Sequence, residues 1–139
     1  MAWTQPKLNW KESDNFTFDD FQRIINNVYF LRDALKDFGL SVEGVSTFDL
    51  SRGTATIPYV SVINSLEQSI RILVLCQAPN AEVPVVTWFP INSKQYARNP
   101  NYLDWLRWEQ QLQSVMTTLN LATLSYVYTN EFYSEEVSA

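Results

Sequence analysis

The groups that most often do chemistry in proteins are nearly absent from this chain. Its 139 residues include no histidine and one cysteine, Cys76. Without histidine the commonest general base and metal ligand is missing, and neither a Cys/His zinc site nor a Ser-His-Asp or Cys-His set can form. Three glycines cannot furnish a Walker loop or a dinucleotide loop. Carboxylates remain. Asp19-Asp20 and Glu135-Glu136 are neighbours in sequence, and Glu67 and Glu109 recur at one position of a repeat. Two carboxylates can cleave a glycosidic bond. Each of these, however, has a plainer reading. Asp19 and Asp20 suit a helix N-terminus, where the dipole is positive. Glu135-Glu136 suits a solvated tail, and Glu67 and Glu109 suit equivalent surface positions on two helices. No twelve-residue calcium loop is present, and Cys76, beside Leu75, suits a small core position. The expectation is a protein that is not an enzyme and uses no cofactor or metal.

Aromatic side chains are the other resource, at 14% of the chain with five tryptophans. Trp88, Tyr96, Tyr102, Trp105 and Trp108 cluster, and Tyr126, Tyr128, Phe132 and Tyr133 follow. Such rings stack on sugars or anchor protein interfaces. One compact core has little room for five tryptophans. Trp3, Trp10 and Trp88 lie outside the helical seams described next, so they are expected at the surface. Together with Tyr126, Tyr128 and Tyr133 they are the candidate contacts with another chain. A carbohydrate platform built on the tryptophans is the alternative.

The elements that position these groups come from the repeat. Phe21, Ile63 and Trp105 head three similar segments at a constant interval. From them run apolar stripes at alternating steps of three and four: Phe21, Ile24, Val28, Leu31, Leu35; Ile63, Leu66, Ile70, Leu73; Trp105, Trp108, Leu112, Val115, Leu119. That spacing is one face of an α-helix. A fixed period of this length marks supersecondary units that cannot bury their apolar faces alone. Asn15 and Asn99, ahead of Phe16 and Pro100, are candidate N-caps, with Pro58 equivalent to Pro100; Thr17 with Asp20 offers a capping box instead. The helices are predicted to stop at Gly39, near Gln77-Ala78-Pro79-Asn80 and near Asn120.

Less regular stretches precede the helices. Val85-Val86-Thr87-Trp88-Phe89 has the β-branched and aromatic content of a buried strand. Val45, Thr47 and Phe48 suggest a weaker one, and the run from Leu121 to Tyr128 closes the series. The predicted fold class is therefore α+β: three extended-segment–turn–helix units with a period of 42, forming a three-helix core with a few short strands. A β-trefoil shares the period, but about half of each unit has helical spacing. The expected organisation is one domain, 1–139, with repeats at about 1–42, 43–84 and 85–127 and a polar tail, Ser134 to Ala139, that frays.

Charge narrows the partners. A net charge of −5 and ten scattered Lys and Arg give no basic cluster to neutralise phosphates, so nucleic acid is not expected. No apolar run reaches membrane-spanning length, and Met1 to Lys7 lacks an apolar signal region. The chain is expected to be made in a cytoplasm and to have no membrane partner.

One stretch resembles a known pattern. Trp3-Thr4-Gln5-Pro6-Lys7-Leu8-Asn9-Trp10, then Asp14, then Asp20-Phe21-Gln22-Arg23-Ile24-Ile25-Asn26-Asn27-Val28-Tyr29-Phe30-Leu31 is similar to a motif of virion proteins from tailed bacteriophages of Gram-positive hosts. There the order is tryptophan, Pro-Lys, tryptophan, an aspartate-rich turn, and a helix with Asp-aromatic-x-Arg-Ile-x-x-Asn-x-x-x-Leu. Gln22 stands where the family has asparagine. Ile57-Pro58-Tyr59 with Ile63-Asn64-Ser65-Leu66-Glu67 resembles the companion element but has Ser65 in place of arginine, which Arg107 restores in the third copy. The match is good over the length of one repeat and looser elsewhere. It implies a non-enzymatic structural part of a virion, in the tail, baseplate or adhesion region, acting by contact with other virion proteins and with copies of itself. It carries no catalytic residues. A host glycan is the partner of the alternative, carbohydrate-binding reading. Arg23, Asn27 and Arg107 are assigned structural work, the arginines bonding to carbonyls or an acidic neighbour where two units meet.

Overall fold

The computed structural model describes residues 2–48, 60–84, 86–88 and 100–138, with side chains as far as 122. Among the described residues there are three α-helices: α1, Phe18–Asp37; α2, Val60–Gln77; and α3, Tyr102–Ser138. Their first residues, 18, 60 and 102, keep the interval of the repeat. Each helix packs on both of the others. The stripes are shared triads: Ile24, Leu66 and Trp108, then Val28, Ile70 and Leu112, then Leu31, Leu73 and Val115, every one buried. Ion pairs join Arg23 to Glu109 and Arg107 to Glu67. Those partners lie at nearly the same distance from their helix starts, so the helices run parallel. A parallel bundle needs a long return connection after each helix, and the repeat supplies it.

The described residues contain no strand, which corrects the α+β expectation. Residues 86–88 of the expected Val85–Phe89 segment lie in no strand, and 85 and 89 are outside the described residues. Val45, Thr47 and Phe48 are likewise not in a strand. Instead, helix side chains take up the backbone of these segments. The Thr4 amide donates to Asn27 Oδ1 at 2.9 Å, and Asn27 Nδ2 donates to the Thr4 carbonyl at 2.8 Å. Trp88 has the same two-way clamp with Asn64, at 2.7 and 3.0 Å. Ser46 N–H donates to Ser69 Oγ, and Phe48 N–H to the Tyr29 hydroxyl. Buried backbone groups must be paired; here a side-chain amide or hydroxyl serves where a neighbouring strand would. These segments are straps, one per groove: 3–16 between α1 and α3, 45–48 between α1 and α2, and 84 with 86–88 between α2 and α3.

The helix ends have local causes. Thr17 caps α1 through a capping box with Asp20, so Asn15 is not its cap. Asn101, immediately before α3, accepts from the Leu103 amide, and its own amide donates to Asp104. Pro100 precedes the helix, and Asn99 and Pro58 lie outside the described residues. After α1, Gly39 turns with φ 99°, and the Leu40 amide donates to the Leu35 carbonyl, a Schellman ending. The expected end near Asn120 is overturned. α3 runs for 37 residues to Ser138, carrying the Leu121–Tyr128 run and most of the expected tail as helix. No glycine or proline follows Asn120 to stop it. At 1.5 Å per residue α3 is about 56 Å long, against about 30 Å for α1.

Candidate functional site: two carboxylates shared between helices

Glu67 on α2 and Glu109 on α3 sit one position past the buried stripe, and both are inside, at 3% and 0% exposure. Their assignment to surface positions is corrected. Each is the hub of a junction between two helices and a strap. Glu109 accepts from Arg23 Nε of α1 at 2.7 Å, from the Lys7 amide at 3.1 Å, and from the indole N–H of Trp10. Glu67 accepts from both terminal nitrogens of Arg107 on α3, at 2.8 and 2.5 Å. It also accepts from the indoles of Trp108 at 2.7 Å and Trp88 at 3.2 Å. A buried carboxylate is tolerable only when donors converge on it in this way.

Local sequence aims the arginines. Asp20 and Asp104, three residues before Arg23 and Arg107, bind helix-cap amides and also face the guanidinium groups, at 2.9 and 3.6 Å. Each aspartate ties a helix start to an inter-helix bridge. Burial opposes the charge of Arg23, but its hydrogen bonds and attraction to Glu109 and then Asp20 prevail and raise its pKa. Arg107 is raised likewise, burial being outweighed by Glu67 and then Asp104. For Asp20, burial pushes the pKa up; the Thr17 amide and hydroxyl and Arg23 outweigh it, and the pKa is lowered. The junctions differ in strength. Arg107 grips Glu67 with both prongs, whereas Arg23 reaches Glu109 through Nε and leaves Nη2 buried with no partner among the described residues.

Aromatic rings close the α1–α3 junction. Phe16 stacks on Trp105 with centroids 5.0 Å apart, and Trp10 meets Trp105 at 5.0 Å. Lys7 Nζ lies 4.1 Å from the Trp10 ring centre. Trp3, half-buried, packs on Phe30. The tryptophans expected at the surface are thus largely inside: Trp10 is 5% and Trp88 3% exposed. Tyr126, Tyr128 and Tyr133 fall on α3, beyond the described side chains, and Tyr96 lies outside the described residues. Asn27 is buried and clamps the first strap. Arg23 and Arg107 each join two units through an acidic neighbour. Sequence reasoning missed Glu67 and Glu109 as partners of the arginines. Their signal was recurrence at the repeat interval combined with adjacency to the stripe.

Elsewhere, Cys76 is half-buried, and burial pushes its thiol pKa up, away from thiolate reactivity. A shallow open groove of about 360 Å³ lies between the end of α1 and α3, lined by Phe30, Ala34, Asp37, Phe38, Met116, Leu119 and Asn120. Among the described residues no cluster of three or more His, Cys, Asp or Glu is placed to hold a metal ion. No described helix is long and apolar enough to cross a membrane. Comparison of the chain with protein-family models, curated proteins and solved structures finds no match.

Proposed function

We propose that this chain is a non-enzymatic structural component of a tailed-bacteriophage virion, in its tail, baseplate or adhesion region. It works by contact with other virion proteins and with copies of itself. The observation that carries the contact reading is the mismatch in helix length. By register with α1, which ends at Asp37, α3 would end at Leu121; instead it continues to Ser138. Leu121 is 62% exposed, and the sequence beyond it holds Leu124, Tyr126, Val127, Tyr128, Phe132 and Tyr133. A helix that carries these residues beyond the ends of α1 and α2 supports contact with a partner. The groove at its base and the exposed Phe38 (43%) extend that surface.

The virion assignment is supported by the motif resemblance. Its residues have coherent structural work here: Trp10, Asp20, Arg23 and Asn27 all build the first strap and its junction. The same fact disfavours the carbohydrate platform, because Trp10, Trp88 and Trp108 are buried and Trp3 and Trp105 are packed against other rings. The test is to raise antibody to the chain and probe purified particles, then to pull down partners from disrupted particles with the chain and with Leu121→Asp. Presence in particles and loss of capture by the variant are expected. Absence from particles refutes the virion reading, and binding to isolated cell-wall polysaccharide restores the alternative.

A further inference from the structure

Three near-equivalent grooves in one chain raise a problem of address. Each strap meets two other grooves in its own chain and three in every neighbouring copy. The cyclic order of the junctions bears on this. Arg23 of the first unit meets Glu109 of the third, and Arg107 of the third meets Glu67 of the second. The remaining pair, by the register of the repeat, is Ser65 of the second unit with Ile25 of the first. Ile25 is fully buried. It lies on one face of α1 between Phe21 and Tyr29, and on that face packs Phe48 of the second strap, 6.4 Å from both rings. Straps one and three carry a tryptophan to a glutamate, and strap two carries a phenylalanine to the isoleucine face.

We infer that Glu67, Glu109 and Ile25 are specificity-determining residues that assign each strap to its own groove. The pairing is indole N–H with carboxylate and plain ring with aliphatic side chain, and a mismatch is penalised from both sides. Trp10 or Trp88 in the α1–α2 groove buries an N–H with no acceptor at Ile25. Phe48 in either other groove removes a donor from a buried carboxylate. One unsatisfied buried group suppresses a misplaced strap about 5- to 140-fold. Two clamps separate the two glutamate grooves: Asn27 of α1 takes Thr4, and Asn64 of α2 takes Trp88. Where copies crowd together, the same rule keeps each strap out of the unlike grooves of a neighbour. The inference concerns the fold of the chain and does not rest on the virion reading.

The test uses the full chain. Ile25→Glu alone should lower Tm sharply, since its carboxylate is buried on the face where Phe48 packs, with Ser65 in place of an arginine at the register position. Adding Ser65→Arg and Phe48→Trp supplies both missing partners and should recover most of that loss. The recovered triple variant then has a glutamate in every groove, and of these devices only the Asn27 and Asn64 clamps still tell the grooves apart. Its Trp10 and Trp88 indole N–H signals in a nitrogen-correlated NMR spectrum should divide into several positions, and light scattering should detect strap-exchanged dimers. The parent chain should give one indole signal per tryptophan, five in all. A triple variant no more stable than Ile25→Glu overturns the pairing rule. A recovered triple variant that stays monomeric, with undivided Trp10 and Trp88 signals, overturns the addressing role.

Discussion

Replacing Glu67 by leucine removes the acceptor for four hydrogen bonds while keeping a side chain of similar bulk. Arg107 loses both prongs of its bidentate contact but keeps Asp104 at 3.6 Å, and its side chain is 19% exposed, so water reaches part of it. Breaking a fully buried pair costs about 3–5 kcal/mol; with this relief about 2 kcal/mol is expected. Trp108 has no such relief. It is 2% exposed, and its indole N–H is left without an acceptor, at about 1–3 kcal/mol. Trp88 contributes less, because its bond to Glu67 is the longest, at 3.2 Å. The loss should total about 4 kcal/mol, a large share of the roughly 5–15 kcal/mol typical of a domain. Urea unfolding followed by tryptophan fluorescence reads it directly. Glu67→Gln keeps an acceptor oxygen and should cost about half as much. In Glu67→Leu with Arg107→Leu the stranded cation is gone, and stability should return toward the parent, short of it by the orphaned indoles. A Glu67→Leu loss below about 1 kcal/mol would refute the shared-carboxylate account of the α2–α3 junction.

Three further outcomes follow from the same geometry. Val28→Ala, Ile70→Ala and Leu112→Ala empty one layer of the bundle, and each should cost about 2–4 kcal/mol in chemical unfolding, whereas two of the three below about 0.5 kcal/mol would break the repeat alignment. Gly39→Ala places a Cβ at φ 99° and should cost about 1–2 kcal/mol, seen as a lowered Tm, although nothing lies within 4 Å of the new atom. Asp20 has a folded pKa below the ordinary aspartate value of 3.8, so its stabilisation is complete above that value and disappears as pH falls through the folded pKa. Asp20→Asn should flatten the acid limb of the stability–pH curve and cost about 1 kcal/mol at neutral pH through the capping box; an unchanged acid limb would count against the lowered pKa.

Much of the bundle is legible in the residue order, because helix formation and one-sided burial are local properties. The interval between Phe21, Ile63 and Trp105 places the three helices, the three-four stripes select the buried face, and Gly39 ends α1 where a left-handed residue is required. Even the extra length of α3 is implicit in the absence of glycine and proline after Asn120. The paired work of Asp20 with Arg23 is local too, since a separation of three on a helix brings them together.

What tertiary structure alone decides is who satisfies whom. An extended run such as Thr87-Trp88 is strand-like in content, but a strand exists only when another backbone pairs with it. Here the partner is Asn64, a helix side chain, so the segment becomes a strap. Glu67 and Glu109 are charged, and a charge enters a core only if donors from distant segments converge on it: Arg107, Trp88 and Trp108 for one, Arg23, Trp10 and Lys7 for the other. Those donors lie between 21 and 102 residues away in sequence. No periodicity within a single helix encodes that convergence. The same closure draws Trp10 and Trp88 inward, because each has an indole N–H that a buried carboxylate needs, whereas on the α1–α2 side Ile25 stands where the other two helices carry glutamate.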